Sequence, residues 1–244
     1  MPSAEAVAVR DILAKLKALG DPARHTVNAK AGAPANQFGV KLGDLRALAK
    51  QLKIDHALAL KLWDTGNVEA QLLAALAMKP KQLAADDLDA LTRATTCAPV
   101  ADWLNAYVVR DHPAREALRQ RWMTEPTAAS PRANPWPARA GWNLTAGRIN
   151  KGQVAGDGNG GWPLDLPALL DRIEAELASA AAEVQWTMNN TLAAIGIHAA
   201  RLRPRALAIG ERVGLYRDWP AAKGCVIPYV PVWVAEMVKR KGQQ

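Results

Sequence analysis

The sequence holds only two cysteines, four histidines, three tyrosines and one phenylalanine in 244 residues. Cys97 and Cys225 stand far apart and make neither a disulfide framework nor a zinc cluster, so a reducing cytoplasm is the default setting. His25, His56, His112 and His198 are isolated, with no HExxH or other ligand spacing. No metal and no cofactor are therefore expected. β-branched residues are sparse, and so are aromatics apart from tryptophan, which favours helices over strands. No apolar run approaches the roughly 20 residues that span a bilayer. The opening MPSAEAVAVRDILAKL is acidic and amphipathic, not a basic stretch before an apolar core, so no secretory signal is read.

Alanine, leucine and charge are what the chain does have. Lysine and arginine number 31 against 23 acidic residues, a formal net charge of +8, with a pI near 9.7. Such a balance suits a polyanion such as nucleic acid. Many proteins are mildly basic for no specific reason, and charge alone leaves both readings open.

Helical patterning is densest from Phe38 to Leu76. Leu42, Leu45, Leu48, Ala49 and Leu52 form one apolar stripe. Leu58, Leu60, Leu62 and Trp63 belong to a second pattern, and Ala70, Leu73, Ala74 and Leu76 to a third. Asp55 and Asn67 stand where N-caps belong, and Gly66 ends the middle helix. A first helix is expected from Ser3 to Leu19, stopped by Gly20, Asp21 and Pro22, with an irregular connector over 23–41. Later helices are expected from Asp86 or Asp87 to Leu91, Pro99 to Val109, Pro113 to Met123 and Ala138 to Ile149. Four more follow: Leu166 to Leu177, Ala181 to Ile195, Arg203 to Val213 and Val230 to Lys241. Prolines mark 124–138 as loop. The glycine-rich 151–162 reads as a mobile surface insertion, since it lacks the GKS/T ending of a phosphate loop. Helix pairs recur about every 35 to 45 residues, the HEAT-repeat range, without exact sequence repetition. The expected fold is all-α, an α-solenoid of antiparallel helix pairs with a basic concave groove, in a single domain over 1–244.

Three of these helices carry polar residues inside apolar patterns. Asp102, Trp103 and Asn105 interrupt Val100, Leu104 and Val108. Arg139 and Asn143 are one turn apart beside Trp142. Gln185, Trp186, Asn189 and Asn190 surround Met188 and Leu192. If inner helix faces meet in one groove, these groups converge. Each also has a plainer reading. Asp102 suits the dipole of a helix first turn, Arg139 an ordinary surface position, and the tryptophans core or rim packing. Two adjacent asparagines in mid-helix suggest a polar groove or inter-helix hydrogen bonds.

FGVKLGDLRALAKQL, followed by LALKLWDTGNVEAQLLAAL, resembles the N-terminal signature of the HEAT-like-repeat DNA alkylation repair proteins, the AlkD-like alkylpurine DNA glycosylases. The resemblance covers most of residues 1–215. It implies hydrolysis of the N-glycosidic bond of cationic N3- or N7-alkylated purines in duplex DNA. The cationic base leaves readily, and a carboxylate stabilises the oxocarbenium-like sugar and orients water. It also implies a basic surface that grips the duplex backbone while the lesion stays in the DNA. The family pattern Trp-Asp-x-Cys-Asp aligns with Ala98 to Asp102, so Asp102 takes the catalytic carboxylate position. Arg139 matches the DNA-contacting arginine. The two tryptophan positions that contact the damaged nucleotide fall on Ala98 and Asn190.

The expectation is thus a DNA repair protein acting as a monomer, with no membrane partner. Asp102 is its catalytic candidate. Arg139 is its phosphate ligand, and Trp103, Asn143, Trp186, Asn189 and Asn190 line the groove. Lys41, Arg148 and Lys151 are further phosphate candidates. A noncatalytic DNA-structure binder and a protein–protein scaffold are the alternatives.

Overall fold

The computed structural model describes residues 4–130, 132–156, 162–220 and 224–242. Among them the chain is all-α, with thirteen α-helices, two single 3-10 turns and one isolated bridge between Ala128 and Ala180. It divides into two compact units, Met1–Arg115 and Glu116–Gln244.

The first unit contains α1 (Ala4–Ala18), α2 (Pro22–Lys30), α3 (Leu42–Gln51), α4 (His56–Asp64), α5 (Val68–Ala77), α6 (Ala85–Arg93) and α7 (Ala98–Tyr107). Its centre is α5, in which every residue from Val68 to Ala75 is buried. Apart from Glu69 and Gln71 this helix is apolar, which suits an interior position, and α1, α3, α4 and α7 pack around it. The expected caps hold: Asp55 accepts the Leu58 N–H at 2.8 Å, and Asn67 accepts that of Ala70 at 3.1 Å. The stripe on α3 buries Leu45 and Leu48 but leaves Leu42 45% exposed. The start expected for α1 at Ser3 lies outside the described residues.

The connector expected over 23–41 is partly wrong, because it contains α2. Pro22 ends α1 but also opens the next helix from its first position, where a proline lacks nothing the helix needs. Asp21 caps α2 by accepting the N–H groups of Ala23 and Arg24. None of the nine residues of α2 is buried, so no apolar stripe announces it.

The remaining connector is clamped by one side chain. Glu69, 2% exposed, accepts the Phe38 N–H on Oε2 at 2.9 Å. Its Oε1 accepts those of Gly39 at 2.8 Å and Val40 at 3.1 Å. Three main-chain donors offset the burial of the charge. The bend needs Gly39 at φ +77, where a Cβ would meet the Asp21 carbonyl oxygen and the His25 nitrogen, each at 2.5 Å. Beside it, the Val68 N–H donates to the Asn36 carbonyl at 3.0 Å, and Asn36 Nδ2 donates to the Thr65 carbonyl at 3.0 Å.

The second unit contains α8 (Arg115–Met123) from Glu116 onward, α9 (Pro135–Asn150), α10 (Leu166–Glu176), α11 (Ala182–His198), α12 (Arg203–Val213) and α13 (Val230–Gly242). Here α11 is central, lying along α9 and against α10, α12 and α13. Its Val184, Met188, Leu192 and Ile195 meet Trp142 and Ile149 in a core where all six are fully buried. Helix α9 begins earlier than its sequence suggests. Asn134 accepts the Trp136 N–H at 3.1 Å, and Pro135 and Pro137 fit the first turn. Conversely, α8 begins after the expected Pro113.

Two outcomes follow from this packing. Glu69→Ala leaves two buried N–H groups and one partly buried one without an acceptor and should cost about 2–4 kcal/mol, read as a lower urea midpoint. The two thiols should also differ. Burial pushes the Cys97 thiol above its ordinary value, with Glu69 and Asp102 acting the same way, whereas Cys225 is exposed. A native-state thiol titration should show one fast group, Cys225, and a second only on unfolding.

Candidate functional site

In the first unit, Asp102 sits on α7, three residues after Pro99, and is partly exposed. Pro99 closes one side of a cavity of about 360 Å³ whose other walls include Arg24, Asn28, Lys41, Leu42 and Glu69. Asp102, one turn further along α7, does not itself line this cavity. Lys41 is exposed at the start of α3 and caps nothing with its side chain. Its Nζ lies 4.0 Å from Asp21 Oδ2, a long, solvent-facing pair.

Trp103 is not a groove wall within this unit. It is 8% exposed, meets Tyr107 edge-on at 5.4 Å, and carries the Arg46 guanidinium 4.8 Å from its ring centre. This is the packing alternative for that residue, with a cation over the ring face.

In the second unit, burial redistributes the expected roles. Arg139 is 3% exposed, and its Nη1 donates to the Glu183 carbonyl at 2.6 Å. It ties the middle of α9 to the start of α11 and does not present its fork to solvent. Arg148 is 6% exposed. Its Nη1 donates to Glu116 Oε1 at 2.9 Å, and its Nη2 donates to the carbonyls of Gln153 and Trp162, each at 2.9 Å. Arg119 grips the same Glu116 through Nε and Nη2. Arg148 therefore staples both ends of the glycine-rich segment, whose residues 157–161 lie outside the described residues. The phosphate role expected for it is corrected on this ground. Lys151, at the C-terminal cap of α9, is exposed.

The two asparagines of α11 have different fates. Asn189 is 1% exposed and donates from Nδ2 to the Pro228 carbonyl at 2.8 Å, in the turn before α13. Asn190 is half-buried, and its buried Oδ1 has no hydrogen-bond partner. Asn143 is half-buried one turn from Arg139. Trp142, also read as part of this polar face, is fully buried, with the Arg172 guanidinium 5.3 Å from its ring.

Trp186 is half-buried among aromatics that the sequence reading missed. Tyr216 lies 5.4 Å from it and Trp219 5.8 Å. Burial raises the Tyr216 hydroxyl above its ordinary value, and the nearby Arg139 charge opposes the shift. The sequence signal was Tyr216 and Trp219 just after a helix end. Nothing local ties them to Trp186, thirty residues earlier.

A structural arginine and a phosphate ligand separate experimentally. Arg148→Met should cost roughly 2–3 kcal/mol in urea unfolding, since Glu116 keeps Arg119 and Gln120 but loses one of its two arginines. A phosphate ligand would instead leave stability alone and lower the salt dependence of DNA binding by about one unit of slope.

Among curated proteins the sequence finds no match. One solved structure is described as "a new family of proteins related to the HEAT-like repeat DNA glycosylases with affinity for branched DNA structures". It shares the fold at a TM-score of 0.73 and 18% identity, over 96% of this chain and 94% of that one. The family described as "DNA alkylation repair enzyme" matches residues 12–214. The chain belongs to the DNA alkylation repair enzyme family.

Proposed function

We propose that this protein binds DNA mainly through its backbone, prefers branched or interrupted structures, and does not excise alkylated bases efficiently. The observation that carries this reading is the residue content of the two positions where the resembling glycosylases place tryptophans. Here they are Ala98 and Asn190. An alanine offers no ring face to a cationic base, and the Asn190 oxygen is buried. The affinity for branched DNA in the description of a protein sharing the fold supports the same direction. Lys41 and Lys151 are the exposed cations among the expected ligands, suited as point charges to phosphates.

A second reading, the glycosylase, rests on Asp102. It stands at the aligned carboxylate position, partly exposed on α7 three residues after Pro99. A cationic alkylpurine needs little acid catalysis, so one carboxylate placed to stabilise the sugar cation could suffice.

Two assays on one preparation divide the readings. The first compares binding to a three-way junction with binding to an intact duplex across a salt series. The second measures base release from duplex DNA carrying 7-methylguanine or 3-methyladenine, wild type against Asp102→Asn. The proposal expects tighter junction binding that survives Asp102→Asn and no base release. Each lysine replaced, Lys41→Ala or Lys151→Ala, should flatten the salt slope by about 0.9. Release that disappears in Asp102→Asn establishes the glycosylase instead. Absence of binding to either DNA returns the protein to the scaffold alternative.

A further inference from the structure

The second unit gathers three aromatic rings, Trp186, Tyr216 and Trp219. Trp186 on α11 meets Tyr216 with ring centres 5.4 Å apart and planes at 66°. It meets Trp219 at 5.8 Å and 48°. Tyr216 and Trp219 complete the triangle edge-on at 5.2 Å and 81°. Each ring therefore touches the other two, in the offset and edge-on geometries that aromatic quadrupoles favour.

The turn that carries two of these rings has an unusual backbone. Gly214 ends α12 in the left-handed region at φ +65. Tyr216 then returns to that region at φ +64, the one non-glycine residue to do so among the described residues. A bulky side chain stays there only where its surroundings impose it, and such positions cluster at functional sites. The surroundings here are explicit. Arg217 Nη2 donates to the Glu211 carbonyl, to Glu211 Oε1 and to the Tyr229 hydroxyl, each at 3.2 Å. The Tyr229 hydroxyl donates to Glu211 Oε2 at 2.5 Å, and the buried Tyr229 ring carries the Arg217 guanidinium 5.3 Å from its centre. The Trp219 N–H donates to the Tyr216 carbonyl at 3.2 Å. Trp219 is thus presented by a turn fixed at several points.

Packing alone does not account for this arrangement. A cluster built only to close the core would cover its outer ring, yet Trp219 keeps 45% of its surface exposed. A single exposed apolar side chain would need no explanation. The combination here is an exposed indole, two rings bracing it and a left-handed tyrosine in the bracing turn. An indole held this way offers a flat π-face in a fixed orientation. Its natural complement is another flat π-face not already covered by a neighbour. A base inside an intact duplex has no free face, whereas a base at a branch point, gap or strand end has one.

We propose that Trp219, braced by Trp186 and Tyr216, is a stacking platform for an unstacked nucleobase at a branch point or gap in DNA. This inference rests on the DNA-binding reading above and adds where the preference for irregular DNA arises. Because every base has a π-face, the site is indifferent to base identity. It discriminates between stacked and unstacked bases.

The test uses the full chain and a three-way junction with one unpaired 2-aminopurine at its branch point. A duplex with 2-aminopurine in its interior is the control. Saturating protein should quench the branch-point fluorescence and leave the duplex signal unchanged. Trp219→Ala should abolish the quenching and weaken junction binding about five- to hundredfold, with duplex binding within twofold of wild type. Trp219→Phe should keep most of both effects. The inference is overturned if Trp219→Ala quenches and binds like wild type, or if wild type binds the junction without altering the probe. Should Trp219→Ala lose its helical circular dichroism, the wild-type quench and Trp219→Phe decide. If wild type binds neither DNA, the DNA-binding reading fails and takes this platform with it. Junction binding without quenching removes the platform alone.

Discussion

The buried carboxylate of Glu69 is the constraint from which the first unit follows. A charge at 2% exposure must find compensation inside the protein. Here the compensation is main-chain, the consecutive N–H groups of Phe38, Gly39 and Val40. Consecutive donors can converge on one acceptor only if the chain between them turns sharply, which places Gly39 in the left-handed region. The turn in turn sets Lys41 at the head of α3 and brings Asn36 onto the α4–α5 corner. The FGVK segment and the later GNVEA segment, which look like separate pieces of a signature, are two halves of one device. The cavity walled by Lys41 and Glu69 is the space this clamp leaves against α2 and α7.

In the second unit arginines join the helices, through one largely buried cluster and through pairs nearer the surface. Glu116 is held by Arg119 and Arg148. Arg172 joins Glu176 and also donates to the Met123 and Glu125 carbonyls. Arg205 spans Asp171 and Glu174, and Arg212 reaches Glu174 as well. The planar fork of arginine suits such multiple acceptors, where a lysine would satisfy one. The formal charge of +8 therefore does not map a binding surface. Much of the arginine complement is spent joining helices within this unit. The exposed lysines at 41 and 151 are better placed for solvent-facing phosphates.

This division explains what was legible in the sequence. Short-range signals were read correctly where the physics is local: Asp55 and Asn67 as caps, Gly66 as a helix stop, and the apolar run that makes α5 central. Pro22 and Pro135 were misread because a proline that ends one helix can also open the next, and its pattern does not say which. The polar residues were the harder case. Helical periodicity put Arg139 with Asn143, and Trp186 with Asn190, on shared faces. It could not say whether a face turns toward solvent or toward another helix. Arg139 finds the Glu183 carbonyl and Asn189 the Pro228 carbonyl, partners 44 and 39 residues away. No window of sequence contains both ends of such a bond.

Helix α11 ties these threads together. One side supplies Val184, Met188 and Leu192 to the core and is locked along α9. The other carries Trp186 into the aromatic triangle. Trp186, half-buried on the same helix, is held against Tyr216 and Trp219. The turn after α12 is fixed from its other end by Glu211 and Tyr229. A ring held between two such anchors loses little further freedom when a flat partner settles on it. Stacking affinity is then set by contact area and not offset by ordering. Asn190 stands one turn beyond Trp186 on α11. The aromatic surface of this helix is carried by Trp186 into a half-exposed cluster with Tyr216 and Trp219.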